Sequence, residues 1–305
     1  MKVAVTGATG TIGAALVDAL RERGDEVVAL TRDPARARER LGPSVEAHQW
    51  ADPKGAPAPA DVLAGCDAVV NLLGETVAQR WSDAAKREIR DSRVLGTRNL
   101  VEGLRAADPR PGVLVSQSAS GWYGARGDER LDETEPAADD FLATVVRDWE
   151  AEARRAEEEL GTRVVLTRTG VVLSESGGAL EKMLPPFKMG VGGPVAGGGQ
   201  YVPWVDLEDV VGAMVFALKT DAASGPINLT APEPVTNGEL SKALGRVLRR
   251  PAVMPVPGFA LKALYGEMAF IVTTGARVVP RRLEELGYSF TRPDLEESLR
   301  AATGR

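Results

Sequence analysis

With 305 residues, 44% of them hydrophobic, 26% charged and a net charge of −6, the chain can fill a full core and carries no surplus of cations. That balance argues against nucleic acid or an anionic membrane as partner, since either calls for a basic patch. A lone cysteine, Cys66, excludes an intramolecular disulfide framework. It fits a reducing compartment; a first strand at Lys2 leaves no room for a secretory signal and no apolar run reaches the ~20 residues of a membrane span, so a cytoplasmic location is expected. The length predicts a large domain with a smaller appendage.

The first predicted element is a short apolar strand from Lys2 to Thr6, running into glycines at 7, 10 and 13 and then into an apolar-periodic helix from Thr11 to about Arg23. Strand, glycine-rich turn and helix start are the parts of a dinucleotide-binding βαβ unit. Gly7 allows the tight turn, Gly10 lets the backbone approach a pyrophosphate, and Gly13 lets helix and strand pack closely. The pyrophosphate then rests on the turn residues Thr9 to Gly13, with Thr11 and Ile12 at the positive end of the helix. Glu26–Thr31 reads as the second strand, whose end meets the adenosine ribose in such folds. Here stand Thr31, Arg32 and Asp33. A hydroxyl and a guanidinium suit a 2′-phosphate and point to NADP(H) rather than NAD; on the plainer reading Arg32 is a solvated loop charge and Asp33 opens an Asp-Pro turn.

Val45–Trp50 is the expected third strand, with Trp50 toward the adenine side, and Asp67–Leu72 a buried fourth, closed by Asn71, Leu72, Leu73, Gly74 and Glu75 beside the cofactor's central riboses. A long helical pattern covers Ser82–Ala107. Its Glu88, Ser92 and Arg93 share a face that either looks into the cleft or forms an exposed ion-paired surface. Val113–Ser118 is the fifth strand, ending in hydroxyls. A helix follows over Asp139–Leu160, then a sixth strand over Arg163–Thr169 that leads through Val172 across the cofactor. Glycines at 177, 178 and 190–199 read as an irregular, ligand-approaching stretch. Asp206 is an N-cap for a helix over Leu207–Leu218, Ile227–Leu229 is a short strand, and Thr236 with Glu239 forms a capping box for a helix through Leu248. Helical patterns near Phe259–Phe270, Pro280–Leu286 and Asp294–Ala302 complete a C-terminal segment that starts at about residue 251.

These residues resemble the short-chain dehydrogenase/reductase superfamily in its extended, sugar-epimerase-like form. The resemblance rests on TGATGTIG at 6–13, the Asn71 strand end, and Ser118-Ala119 with Tyr123-Gly124 after strand five. More narrowly the chain is similar to the atypical epimerase-family proteins, through NLLGE at 71–75, RWSDAAKREIRDSR at 80–93, PWVDLEDV at 203–210, NLTAPEPVTN at 228–237 and RPAVMPVP at 250–257. The resemblance implies an α/β, Rossmann-like doubly wound parallel sheet over 1–173, with a strand and helix returning from about 203–230. Residues 174–305 form mostly a substrate lobe. It implies NADP(H) contacts at Thr31, Arg32, Leu72, Leu73, Glu88, Arg93 and Val172, and a small-molecule substrate, carbonyl, alcohol or sugar-like, on a monomer or homodimer.

Its catalytic pattern is incomplete here. The superfamily pairs a Ser with Tyr-x-x-x-Lys, in which the lysine lowers the phenol's pKa for proton transfer. Counting back from Glu150, the expected neighbour of that lysine, puts Val146 and Leu142 where the lysine and tyrosine belong. Ser118 and Tyr123 are the remaining candidates, with Tyr123 either facing the cleft or packed in its Gly-bounded turn. Lys182 and Lys188 are candidates to orient a substrate anion. His48, the only histidine, excludes His-based triads and metal clusters, and Asp132, Glu133 and Glu135 read as a solvated turn.

Overall fold

A computed structural model describes residues 1–305. Seven strands build one parallel sheet: β1 (Lys2–Thr6), β2 (Glu26–Thr31), β3 (Glu46–Gln49), β4 (Ala68–Asn71), β5 (Val113–Ala119), β6 (Arg163–Thr169) and β7 (Gly225–Leu229). Their spatial order is β7-β6-β5-β4-β1-β2-β3. The main helices are α1 (Thr11–Glu22), α2 (Pro34–Leu41), α3 (Asp83–Ala106), α4 (Phe141–Leu160), α5 (Gly178–Lys188), α6 (Leu207–Lys219), α7 (Asn237–Leu248) and α8 (Gly258–Tyr265).

The strands are apolar on both faces because both faces are covered. Val3 and Val5 of β1 pack with Leu16 and Leu20 of α1 and with Val210 and Met214 of α6. Ala4, between them, joins Val69, Leu100 and Leu104 of α3, and Ala153 of α4, on the opposite face. Burying each such valine or leucine contributes about 1.5–3 kcal/mol, so the period-2 alternation of β1 is enough to hold helices on either side. The fold is the Rossmann-like doubly wound α/β sheet expected.

Several element starts follow from side-chain caps. Ser82 accepts the Ala85 N–H for α3, Asp140 those of Leu142 and Ala143 for α4, and Thr236 with Glu239 makes the reciprocal capping box of α7. Asp33 opens a whole helix rather than a turn: its carboxylate accepts the Arg36 N–H and Pro34 takes the first helical position. Helix α5 stands within the stretch that its flanking glycines marked as irregular; Pro185 and Pro186 sit in its final turn, and Leu180, Leu184 and Phe187 are buried. Those three pack with Trp204, Leu240 and Leu244 in a separate apolar cluster of the C-terminal half.

The glycine-rich run does not lie open throughout. A Cβ at Gly192 would stand 2.4 Å from the Phe187 ring and one at Gly193 2.2 Å from the Met254 carbonyl oxygen. These glycines let backbone pack on its own chain. Two buried carboxylates of α6 and its cap bind the end of the chain. Asp209 accepts the Tyr288 hydroxyl at 3.1 Å and the N–H groups of Thr291 and Arg292 at 2.7 and 2.9 Å. Asp206 accepts the Ser298 hydroxyl at 2.6 Å and the Arg292 guanidinium at 3.2 Å.

Candidate functional site

Strand order reverses at β1, whose neighbours are β2 and β4. In open α/β sheets the ligand crevice lies outside the carboxyl ends at such a switch point. Gly7 turns the chain there with φ +63°, and a Cβ on it would meet the Leu72 carbonyl oxygen at 2.5 Å. The Gly10 N–H closes the turn on the Gly7 carbonyl at 2.9 Å. Gly13 sits so close below that a Cβ would come within 2.3 Å of the Gly7 oxygen. Gly10 caps α1 with no side chain, and no acid stands in the first turn. The N–H groups of Thr11, Ile12 and Gly13 therefore keep their anion-binding capacity, with Thr9 in the turn above.

A buried polar network holds the two strand ends together. The Thr6 hydroxyl donates to Asn71 Oδ1 at 2.9 Å and accepts the Leu72 N–H, while the Asn71 amide donates to Thr97 at 2.9 Å and Ser116 at 3.2 Å. Trp149 Nε1 donates to the same Thr97 oxygen at 2.9 Å. Leu72 and Leu73 leave β4 partly exposed and Gly74 is exposed, which puts main chain along the crevice. Thr6 and Ser116 were legible only as polar letters in apolar strands and Thr97 as one within a helix, the usual mark of satisfied buried groups.

At the end of β2, Arg32 is exposed and makes no ion pair. The one carboxylate near it, Asp33, is turned onto the α2 backbone, and Thr31 accepts the Asp33 N–H at 3.2 Å. No acid is left facing the ribose position. From α3, Arg93 lies over the Trp149 ring at 5.3 Å, donates to the Ile89 carbonyl at 3.0 Å, and has no carboxylate partner. Burial pushes its pKa down to about 10. A Cβ at Gly74 would stand 2.9 Å from its guanidinium, so Arg93 adjoins the crevice. Glu88 is placed differently: it forms an exposed ion pair with Lys54 at 2.7 Å. Val172, half-buried in the short strand Val171–Leu173, pairs with Val205. Beyond it the chain crosses back to α1, where a Cβ at Gly177 would be 2.3 Å from the Thr11 hydroxyl oxygen.

The two expected catalytic side chains do not reach this crevice. Ser118 is 0% exposed and donates to Glu150 Oε1 at 2.6 Å. Tyr123 is also 0% exposed; its hydroxyl donates to Asn228 Oδ1 at 2.7 Å and accepts from Arg168 at 3.2 Å. Burial pushes the Tyr123 phenol up to about 12, with Arg168 opposing. Arg168 in turn reaches Glu150 at 2.8 and 3.0 Å and stacks 3.8 Å from the Trp122 ring centroid. The sequence signal was Arg168 itself, a cation inside an apolar strand that demands a buried anion. At the tyrosine and lysine positions, Leu142 and Val146 lie 3.5 and 3.9 Å from where a Gly121 Cβ would be, an apolar contact.

Other expectations also shift. Trp50 is buried and donates to the Ala56 carbonyl, covered by its own loop rather than facing an adenine. Lys182 donates to the Ala78 carbonyl at 2.8 Å and Lys188 pairs with Glu175 at 2.8 Å. Glu133 is no solvated turn residue: it accepts the N–H groups of Asn228 at 2.8 Å and Arg282 at 3.2 Å. Burial raises its pKa above the ordinary glutamate value. No helix is long and apolar enough to cross a membrane.

Comparison with known proteins agrees with this geometry. The model of the NAD-dependent epimerase/dehydratase family matches residues 3–229, and a domain of unknown function, DUF1731, matches residues 256–302. The chain is 41% identical, over 99% of its length and 86% of the relative's, to the chloroplastic SDR39U1 homologue of Arabidopsis thaliana, named an epimerase family protein. An epimerase family protein of Mycobacterium tuberculosis is 41% identical over 99% of this chain and 98% of its own. The crystal structure of human epimerase family protein SDR39U1, which holds NADPH, superposes with a TM-score of 0.88 at 34% identity, covering 100% of this chain and 99% of that one. The chain belongs to the NAD-dependent epimerase/dehydratase family, alongside the SDR39U1 proteins.

Proposed function

We propose that this protein is an NADP(H)-dependent oxidoreductase acting on a small carbonyl, alcohol or sugar-like compound. The observation that carries the cofactor half is the unpaired Arg32 beside Thr31, with the Asp33 carboxylate turned away into the cap of α2. A 2′-phosphate meets a cation and a hydroxyl there and no repelling acid. The residues fit the group at its other end as well: the glycine cradle admits backbone where any Cβ would collide, and the uncapped start of α1 offers N–H groups to a pyrophosphate. Arg93, a guanidinium without a carboxylate partner, supplies further positive charge to the crevice, and Leu72 to Gly74 with Val172 supply its walls. The NADPH held by the human SDR39U1 structure supports the same choice.

When bound, the nicotinamide supplies hydride transfer. The chain's part is to orient it, exclude water and keep charges fixed around it. A titration separates the cofactor proposal from its alternative: NADPH should bind more tightly than NADH, and equal affinities would overturn it.

A second reading, NADP(H) binding without turnover, is favoured by one group of observations. Ser118 and Tyr123 are sealed in the interior, and Leu142 and Val146 occupy the places of the proton-transferring pair. A nucleotide-sugar epimerase or dehydratase depends on the same missing pair and is the weaker enzyme reading. NADPH oxidation followed against a panel of aldehydes, ketones and quinones decides between enzyme and binding protein; no turnover with any of them favours the second reading.

A further inference from the structure

The charge of the whole chain hides a local surface of opposite character. From Arg249 to Tyr265 there are three cations, Arg249, Arg250 and Lys262, and no acid, on a chain of net charge −6. All three are exposed and none forms an ion pair. The next acid along the chain, Glu267, is committed to Lys86. Among these cations stand large apolar side chains clear of the protein's own surface: Val253 and Phe259 are each 78% exposed, Leu264 62%, and Met189 from the neighbouring turn 70%. Helix α8, which carries Phe259 and Leu264, has no buried residue.

The segments are continuous in space. The Met254 N–H donates to the Gly192 carbonyl at 3.3 Å, the Val256 N–H to Pro194 at 2.9 Å, and the Ala196 N–H to Val256 at 2.9 Å. A Cβ at Gly190 would lie 3.7 Å from the Pro251 ring. The ledge that presents the side chains is thus laced to the glycine-rich run and stiffened by Pro251, Pro255 and Pro257, which lowers the entropy lost when it docks.

We propose that this face, the α8 helix with the proline ledge before it, is a docking surface for an anionic lipid bilayer. A continuous run of exposed apolar side chains beside unpaired arginines and a lysine matches a headgroup layer, which takes the cations, above an acyl layer, which takes Phe259, Leu264 and Val253. The chain as a whole carries a net charge of −6, so such a membrane repels it on balance and attraction has to come from a local basic surface such as this one.

The full-length protein is sedimented with vesicles of phosphatidylcholine alone and of phosphatidylcholine with phosphatidylglycerol. Binding only to the phosphatidylglycerol vesicles, weakened by added salt, is expected. The double change Arg249→Glu with Arg250→Glu should lower the partition coefficient about 30-fold or more, and Phe259→Ser with Leu264→Ser should abolish it. NADPH titration of each variant reports that the chain remains folded. Equal binding to both vesicle types, or full binding by either variant, overturns the proposal. So does a homodimer in solution that the Phe259→Ser, Leu264→Ser variant disperses, since the face would then be an interface between copies.

Discussion

Arg168 and Glu150 form a two-pronged ion pair in the interior, with N–O distances of 2.8 and 3.0 Å and 2% exposure on each side. The pair joins β6 to α4 and fixes both side chains that the sequence offered for catalysis, since Ser118 bonds to Glu150 and Tyr123 to Arg168. All four side chains are buried, so the pair holds both candidates away from water.

Arg168→Ala should therefore destabilise the protein by about 3–5 kcal/mol in urea unfolding, because it leaves the Glu150 carboxylate buried without a partner. Arg168→Met with Glu150→Leu removes both charges and should recover most of that loss. A single change as mild as a surface substitution would show that the pair is not as dry as its exposure indicates.

Tyr123→Phe is expected to act on stability and not on cofactor affinity. Deleting the hydroxyl strips a bond from Asn228 Oδ1, a buried acceptor, at a cost of about 1–3 kcal/mol. NADPH affinity should match the parent's, and so should any turnover found, measured per folded molecule. Lost turnover in a folded, NADPH-binding variant would return Tyr123 to the mechanism.

Arg32→Ala should narrow the preference for NADPH over NADH by about tenfold or more, the worth of a charge-assisted bond to phosphate. NADH affinity should barely change, which distinguishes lost phosphate recognition from local misfolding. Gly13→Ala makes the complementary case: its Cβ, 2.3 Å from the Gly7 oxygen, should weaken both cofactors together and cost about 1–3 kcal/mol of stability.

Glu133 supplies a pH dependence whose sign can be worked out. Burial raises its folded-state pKa above the ordinary 4.5, so the folded chain binds this proton more tightly than the unfolded one. Its contribution is most favourable below 4.5 and is lost as pH rises through the folded value. Glu133→Gln keeps an acceptor for the Asn228 and Arg282 N–H groups. It should flatten the stability profile just above pH 4.5 and be neutral or stabilising at pH 7, read from thermal unfolding across that range.

The strands, the glycine turn and several helix starts were legible because each is a local pattern: apolar alternation, φ-permissive residues, and a side-chain cap at Ser82, Asp206 and Thr236. The Asp206 cap and the Thr236–Glu239 box needed nothing from far along the chain. What stayed hidden depends on distant partners. Tyr123 follows strand five as a cleft residue would, and only Asn228, 105 residues away, shows that its hydroxyl points inward. Glu88 and Arg93 share a helix, yet Lys54 claims one of them and Trp149 the other. Helix α5 was hidden for another reason: glycines flank it on both sides and two prolines lie in its last turn, where packing of Leu184 and Phe187 outweighs the lost backbone bonds.

The carboxylates of Asp206 and Asp209 lie in the stretch that matches the epimerase/dehydratase family, while Tyr288, Thr291, Arg292 and Ser298, which satisfy them, lie in the stretch that matches DUF1731. Cutting the chain between the two would remove these donors and uncover the apolar clusters into which Leu283 and Leu299 pack. The C-terminal stretch is thus a fastener without which the nucleotide fold should not close, and a chain ending near residue 255 should be recovered as an insoluble product instead of a trimmed, NADPH-competent protein.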